Sequence, residues 1–146
     1  MKKKIELIIQ KELNNLTGKK FSKSYIFKYI LPIIQYIDKT NEKKFIISGS
    51  QGSGKSTLSK LIKIIIEKTS SKKVMLLSID DYYLSKRDRY NLSQQIHPLL
   101  ITRGVPGTHN IKKLKEHLGQ FKKKQFPIIT PTFNKLKDDI SIKTKV

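Results

Sequence analysis

The octapeptide Gly49-Ser50-Gln51-Gly52-Ser53-Gly54-Lys55-Ser56 has the form G-x-x-x-x-G-K-[ST], and its flanks decide how the chain is read. Before it, Lys44-Phe45-Ile46-Ile47-Ser48 is a short apolar run of β type. After it, Leu58, Leu61, Ile62, Ile65 and Ile66 recur at helical spacing between Thr57 and Lys68. Strand, glycine loop and helix in that order make a phosphate-binding loop, where a chance glycine-rich turn would lack one flank or the other.

The residue types supply the chemistry. Glycines let successive main-chain N–H groups turn toward one anion, and the new helix adds its positive N-terminal end. The expected nucleotide site is therefore Gly49, Ser50, Gln51, Gly52, Ser53, Gly54, Lys55, Ser56 and Thr57. Lys55 reaches the β- and γ-phosphates of a bound nucleoside triphosphate as a point charge, and the Ser56 hydroxyl is placed for Mg²⁺.

A second apolar run, Lys73-Val74-Met75-Leu76-Leu77-Ser78, follows the turn Thr69-Ser70-Ser71-Lys72 and predicts a parallel βαβ unit. Parallel strands deliver their carboxyl ends to one sheet edge, where ligands bind in open α/β folds. The residues after Ser78 are Ile79-Asp80-Asp81-Tyr82-Tyr83. An aspartate at that edge can take the proton of an attacking hydroxyl or help to hold Mg²⁺, where its structural use would be a helix cap or turn. Asp80 is assigned to the chemistry, and Asp81 stands between a metal role and a turn.

The 146 residues allow one domain, and the formal charge of +20 suggests an anionic partner. The basic residues are 28 Lys and three Arg, with Lys scattered along the whole chain. Nucleic-acid faces mix arginine and aromatics into a local patch, so nucleic acid is not the expected partner. Runs such as Lys122-Lys123-Lys124 read as solvated surface. Without cysteine there are no disulfides or thiolate metal sites. No stretch has the length of a membrane span, and Glu6 interrupts the apolar run after the basic tip, so a cytoplasmic protein is expected.

Arg87, Arg89 and Arg103 share one segment downstream of the loop. Arginine is the better residue for fork-like recognition of a carboxylate or phosphate, although Arg87 and Arg89 also fit plain surface positions. Residues 4–16 predict an amphipathic helix stopped at Thr17-Gly18, and 24–37 a second one that Pro32 kinks or restarts. Residues 84–96 read as a polar helix, 97–110 as an ordered Gly/Pro loop, and 111–119 as a helix ending at Gly119. Phe126-Pro127-Ile128-Ile129 is a candidate third strand, and Thr130 to Lys135 a second loop before Asp138-Asp139. His117 on its helix reads as structural; His109, beside Arg103 and Thr108 in the loop, reads as a substrate contact.

The order of the phosphate loop, Ser78-Ile79-Asp80-Asp81-Tyr82-Tyr83-Leu84, His97-Pro98-Leu99-Leu100 with Thr102-Arg103-Gly104-Val105-Pro106-Gly107-Thr108-His109, and Pro131-x-Phe133-x-Lys135-x-x-Asp138-Asp139 resembles the ATP-dependent D-glycerate 3-kinase family. These are P-loop kinases related to uridine kinase, pantothenate kinase and phosphoribulokinase. The resemblance covers most of residues 20–140, and the Arg-Gly-Val-Pro-Gly-Thr-His segment is its specific part. It implies transfer of the γ-phosphate of ATP, with Mg²⁺, to a hydroxyl of glycerate. By that likeness Asp80 is the catalytic base with Lys55 on the phosphates, Ser56 and Asp81 attend the metal, and Arg103, Thr108, His109 and Lys135 line the acceptor region. The chain departs from the family at Asn110 and Asn134, where an aspartate is usual, and at Ile140, where an arginine is usual.

The expected fold is an α/β, P-loop NTPase-like parallel sheet flanked by helices. Residues 1–43 form a helical extension packing on it, and 44–146 the N-terminal portion of a kinase core. With two clear strands and one candidate, the sheet is expected to be incomplete, because such folds use about five. The strand before the loop would then lack a neighbour, and the chain alone would bind ATP weakly and turn over slowly unless a complementing C-terminal polypeptide joined it. The alternatives are a P-loop kinase for another acceptor, a nucleoside or pantothenate, and a non-catalytic nucleotide- or nucleic-acid-binding remnant.

Overall fold

The computed structural model describes residues 2–145, with side chains over 5–141. The chain forms two compact units that divide between Leu76 and Leu77. In the first unit the N-terminal helices and the helix after the glycine loop bury their apolar faces together.

The first unit is helical. Helix α1 (Lys2–Thr17) ends where the Gly18 amide bonds back to the Asn14 carbonyl at 2.8 Å. Helix α2 (Lys23–Tyr25) starts on a Ser22 cap and runs through a π turn at Ile26–Ile30 into α3 (Leu31–Lys39). Pro32 sits in the first turn of α3. A proline has no N–H to give and crowds the carbonyl four residues back, and the wider turn just before it relieves both. The restart expected at Pro32 is seen in α3, which begins at Leu31 directly after the π turn. Helix α4 (Lys55–Thr69) follows the glycine loop.

Ile9 and Leu13 of α1, Ile30 and Ile34 around the π turn and α3, and Leu61 and Ile65 of α4 close into one apolar core. In α4, Leu61, Ile62, Ile65 and Ile66 lie on the face that their helical spacing marks as apolar. Ile65 is fully buried. Ile65→Ala should cost about 2–5 kcal/mol of unfolding free energy, the range for deleting a large core aliphatic. Urea denaturation followed by far-ultraviolet circular dichroism measures it.

The expected parallel pair is not formed among the described residues. The segments 44–48 and 73–78 have no ladder between them. Ile46 is 95% exposed, so the run before the loop lacks the covering that central strands receive. The second segment is held by side chains instead of by a strand: Glu67 Oε1 accepts the Val74 N–H at 3.0 Å, and Lys63 Nζ donates to the Val74 carbonyl. The structure keeps the α/β character with a different sheet. Strands β1 (Ile129–Asn134) and β2 (Asp139–Lys145) pair antiparallel in the second unit.

That hairpin corrects the reading of Thr130 to Lys135 as a loop. Pro131 suggested a break, but it lies next to a register irregularity between Pro131 and Phe133, where a missing donor is tolerated. The second unit also holds α5 (Lys86–Gln95) and α6 (Ile111–Lys122), with 3₁₀ turns at Ile79–Tyr82 and Pro98–Ile101. Helix α6 runs past Gly119 to Lys122, one turn beyond expectation, and Phe121 in that extra turn meets Phe126 at 5.8 Å between ring centroids. No helix among the described residues is long and apolar enough to cross a membrane.

The buried polar centre of the second unit joins Tyr82 to His117, with the phenol oxygen 2.9 Å from Nδ1. Burial, then the Asp81 carboxylate, pushes the Tyr82 phenol up to about 12. Burial first, then the Lys113 ammonium, pushes His117 below its ordinary value, against a smaller opposing pull from Glu116. His117 is structural, as expected. The unfolded chain, with its histidine near 6.5, binds the proton that the folded one refuses. Stability should therefore be flat above about pH 7 and fall as pH drops through 6.5 toward the folded value. Denaturation midpoints measured from pH 7.5 to 5 should show that slope, and His117→Gln should flatten part of it.

Candidate functional site

The glycine loop, residues 49–56, lies in the first unit. Gly54 closes the loop at φ 85° and starts α4, and Gly52 sits at φ 79°. Only glycine holds such angles without strain, and a Cβ at either would meet open space, so conformation and not crowding selects them. No side chain caps the start of α4. Its first N–H groups are left for an anion. Ser53 N–H donates to the Ser50 carbonyl at 3.3 Å and tightens the turn. Lys55 Nζ donates to the same carbonyl at 2.7 Å, so its ammonium lies across the loop it serves. Gly49, Ser50, Gln51 and Ser56 are exposed, and Thr57 is half-buried. Uncapped helix amides, left-handed glycines and an ammonium held against the loop are the features an anion site would need.

Asp80, Asp81, Arg103, Thr108, His109 and Lys135 all lie in the second unit. Three segments bring them together. The segments 82–84 and 108–110 run side by side: Asn110 N–H donates to the Tyr82 carbonyl at 2.7 Å, and Leu84 N–H to the Thr108 carbonyl at 2.9 Å. This stacks the His109 ring against Tyr83, with centroids 4.2 Å apart. The third segment is β1 and its turn. Asp81 Oδ1 accepts the Phe133 N–H at 3.1 Å, which locks the 3₁₀ turn onto β1. Lys135, just past β1, then reaches Asp80 Oδ2 at 2.7 Å.

The electrostatics follow from that geometry. The Lys135 hydrogen bond, opposed by partial burial, holds Asp80 below the usual carboxylate range, so it is ionised throughout neutral pH. Burial, then the Asp80 charge, raises the Tyr83 phenol, which stays protonated beside that carboxylate. Burial lowers His109 against the pull of Asp80, leaving a neutral ring at pH 7. Its Nε2 is buried with no hydrogen-bond partner among the described residues. A buried ring nitrogen without a partner is costly and marks a place for a donor or acceptor from outside the chain.

Two of the expected site residues make hydrogen bonds inside the second unit. Thr108 is fully buried; its hydroxyl donates to the Val105 carbonyl at 2.6 Å and accepts the Gly104 N–H at 3.1 Å. It holds the loop in shape and turns no group outward. Asp81 spends one oxygen on β1, and no group of three metal-ligating side chains occurs among the described residues. Asn110 and Asn134, the departures noted in the sequence, cap α6 through Lys113 N–H at 3.0 Å and shape the hairpin turn through Leu136 N–H at 2.9 Å. Ile140 is a partly exposed β2 residue.

Tyr83, Asp138 and Arg89 were not singled out for the site. Arg89 is not a surface residue: it is fully buried, donating to the carbonyls of Ile101, Leu84 and Asp138 and to the Asp138 carboxylate. Its retention as arginine in a lysine-rich chain was the available signal.

Over 97 residues the chain is 38% identical to a protein of Saccharomyces cerevisiae named probable ATP-dependent kinase TDA10, covering 60% of this chain and 33% of that protein. Over 98 residues it is 35% identical to the uncharacterized kinase mug58 of Schizosaccharomyces pombe, covering 64% of this chain and 35% of that protein. The chain spans about a third of the length of these curated relatives. No protein-family model matches it.

Proposed function

We propose that the chain takes part in ATP-dependent phosphoryl transfer to a hydroxyl of a small carboxylate, with glycerate the acceptor that fits best. The observation that carries this reading is the grouping of Asp80 with Tyr83, His109 and Lys135 in a protein that also holds an uncapped phosphate loop. Both relatives bear kinase names, one of them ATP-dependent, which supports the same reaction class.

In this reading Lys55, the loop amides and the α4 N-terminus hold the β- and γ-phosphates. Ser56 takes Mg²⁺, which supplies charge neutralisation when bound, with Asp81 the further candidate ligand. The acceptor carboxylate lies on Arg103, whose Nη1 is committed to the Lys135 carbonyl and to Asp138 while its other nitrogens have no partner among the described residues. Lys135 and the His109 Nε2 complete the acceptor region. Asp80 takes the hydroxyl proton as the acceptor oxygen bonds to the γ-phosphorus, and the bond to the bridging oxygen breaks with its electrons leaving on ADP. The extended segment 44–48, with Ile46 almost wholly exposed, would be paired by strands of a complementing polypeptide.

A coupled ADP assay with glycerate, uridine and pantothenate as acceptors tests the assignment. Glycerate-dependent ADP release supports it. Release with a nucleoside or pantothenate alone moves the acceptor to a related kinase class. Salt-sensitive RNA binding that survives Lys55→Ala, with no transfer, replaces the enzyme reading with a binding one.

A further inference from the structure

The guanidinium of Arg89 has no exposed surface, yet it is linked through one carboxylate to Arg103 in the acceptor region. Its Nε donates to the Ile101 carbonyl at 3.2 Å, Nη1 to the Leu84 carbonyl at 2.8 Å, and Nη2 to both the Asp138 carbonyl at 2.9 Å and Asp138 Oδ2 at 2.5 Å. Those bonds leave Arg89 one way to sit. Asp138 is equally constrained, standing in the hairpin turn at φ 53°. Its second oxygen, Oδ1, accepts from Arg103 Nη1 at 2.7 Å, and the same nitrogen donates to the Lys135 carbonyl at 3.1 Å. Phe133 lies under both guanidinium groups, 5.6 Å from Arg89 and 5.8 Å from Arg103.

We infer that Arg89 is a positioning residue that orients Arg103 through Asp138, so that the free edge of the Arg103 guanidinium is presented to the acceptor. The inference rests on the carboxylate role proposed for Arg103. Arginine is required at 89 because a planar fork satisfies carbonyls in several directions and a carboxylate at once, which an ammonium does not do. Asp138 is divided between the two, one oxygen for each. A partly exposed arginine held this way loses little rotamer freedom on binding an anion, and that raises affinity for the acceptor more than it changes the chemical step.

The test uses the three arginines of the chain, which give three resolved side-chain signals in protein labelled with ¹⁵N-arginine. In Asp138→Asn, rotation about the Arg103 guanidinium bonds should quicken at least about tenfold with loss of the charge-assisted bond. The D-glycerate concentration for half-saturation should rise about tenfold while kcat and ATP affinity change little, the pattern of lost ground-state binding. Arg89→Lys should do the same. If that variant does not fold, Asp138→Asn decides. Unchanged Arg103 rotation in Asp138→Asn overturns the inference, and so does a lowered melting temperature with no change in rotation or half-saturation. Arg103→Ala separates the two claims. If glycerate binding ignores it, the carboxylate role falls, while the rotation measurement still decides whether Arg89 orients Arg103.

Discussion

Asp80→Asn is expected to lower transfer to the acceptor by about two to four decades, the usual contribution of a positioned general base. The substitution keeps the shape of the side chain and removes its charge, and a carboxamide oxygen is a poor proton acceptor. The 2.7 Å bond from Lys135 Nζ and the depressed titration of Asp80 show a carboxylate held ionised and in place, so little of its effect should come from disorder in the variant. ATP affinity is expected to stay within about threefold, because Lys55, Ser56 and the loop amides assigned to the phosphates are all left unchanged. Calorimetry with ATP and Mg²⁺ beside rates of ADP release measures both quantities. Equal loss of binding and transfer would assign Asp80 to the metal.

Lys55→Ala is expected to weaken ATP binding about 10- to 100-fold and to remove most ATP-dependent activity, the scale of one or two charge-assisted hydrogen bonds. The Lys55 ammonium bonds the Ser50 carbonyl at 2.7 Å, so phosphate oxygens would have to compete with that partner. The alanine variant loses the attraction and leaves the glycine geometry intact. Folding stability should change by less than about 0.5 kcal/mol, since no buried group is exposed. A variant that binds ATP as tightly as the parent would remove the loop from the account.

The parts of the fold legible in the sequence are those fixed by local rules. Helices α1 and α4 lie where periodicity and their flanking residues place them, and Gly18 and Gly54 mark an end and a start. The sheet was read less well, for a physical reason. Phe45 to Ser48 and Val74 to Ser78 have strand composition, but a strand exists through its ladder partner, and composition does not say whether one is present. The hairpin β1–β2 was hidden by Pro131 and the Asp138-Asp139 pair, which locally signal loops and here serve a register irregularity and a turn.

The site divides along the same line. The glycine loop is a contiguous motif, so its glycines at 52 and 54 and the start of α4 behind them can be read from the sequence alone. Asp80 comes from its place after an apolar run, His109 from its neighbours in the loop and Lys135 from the family resemblance, and the three lie together in the second unit. Thr108 was placed with the substrate because hydroxyls bind substrates, but burial gives its hydroxyl to the loop. Arg89 was passed over because three of its acceptors are main-chain carbonyls, which leave no mark in the side-chain sequence.

The central claim is that the loop's triphosphate is spent on a small carboxylate. A single-turnover experiment tests it most directly, with the chain in excess over ATP labelled in its γ-phosphate and D-glycerate present. The account predicts that the label passes to a phosphoglycerate and that ATP stays intact when glycerate is withheld. Label appearing as inorganic phosphate at the same rate with or without glycerate, or remaining on bound ATP throughout, would contradict it.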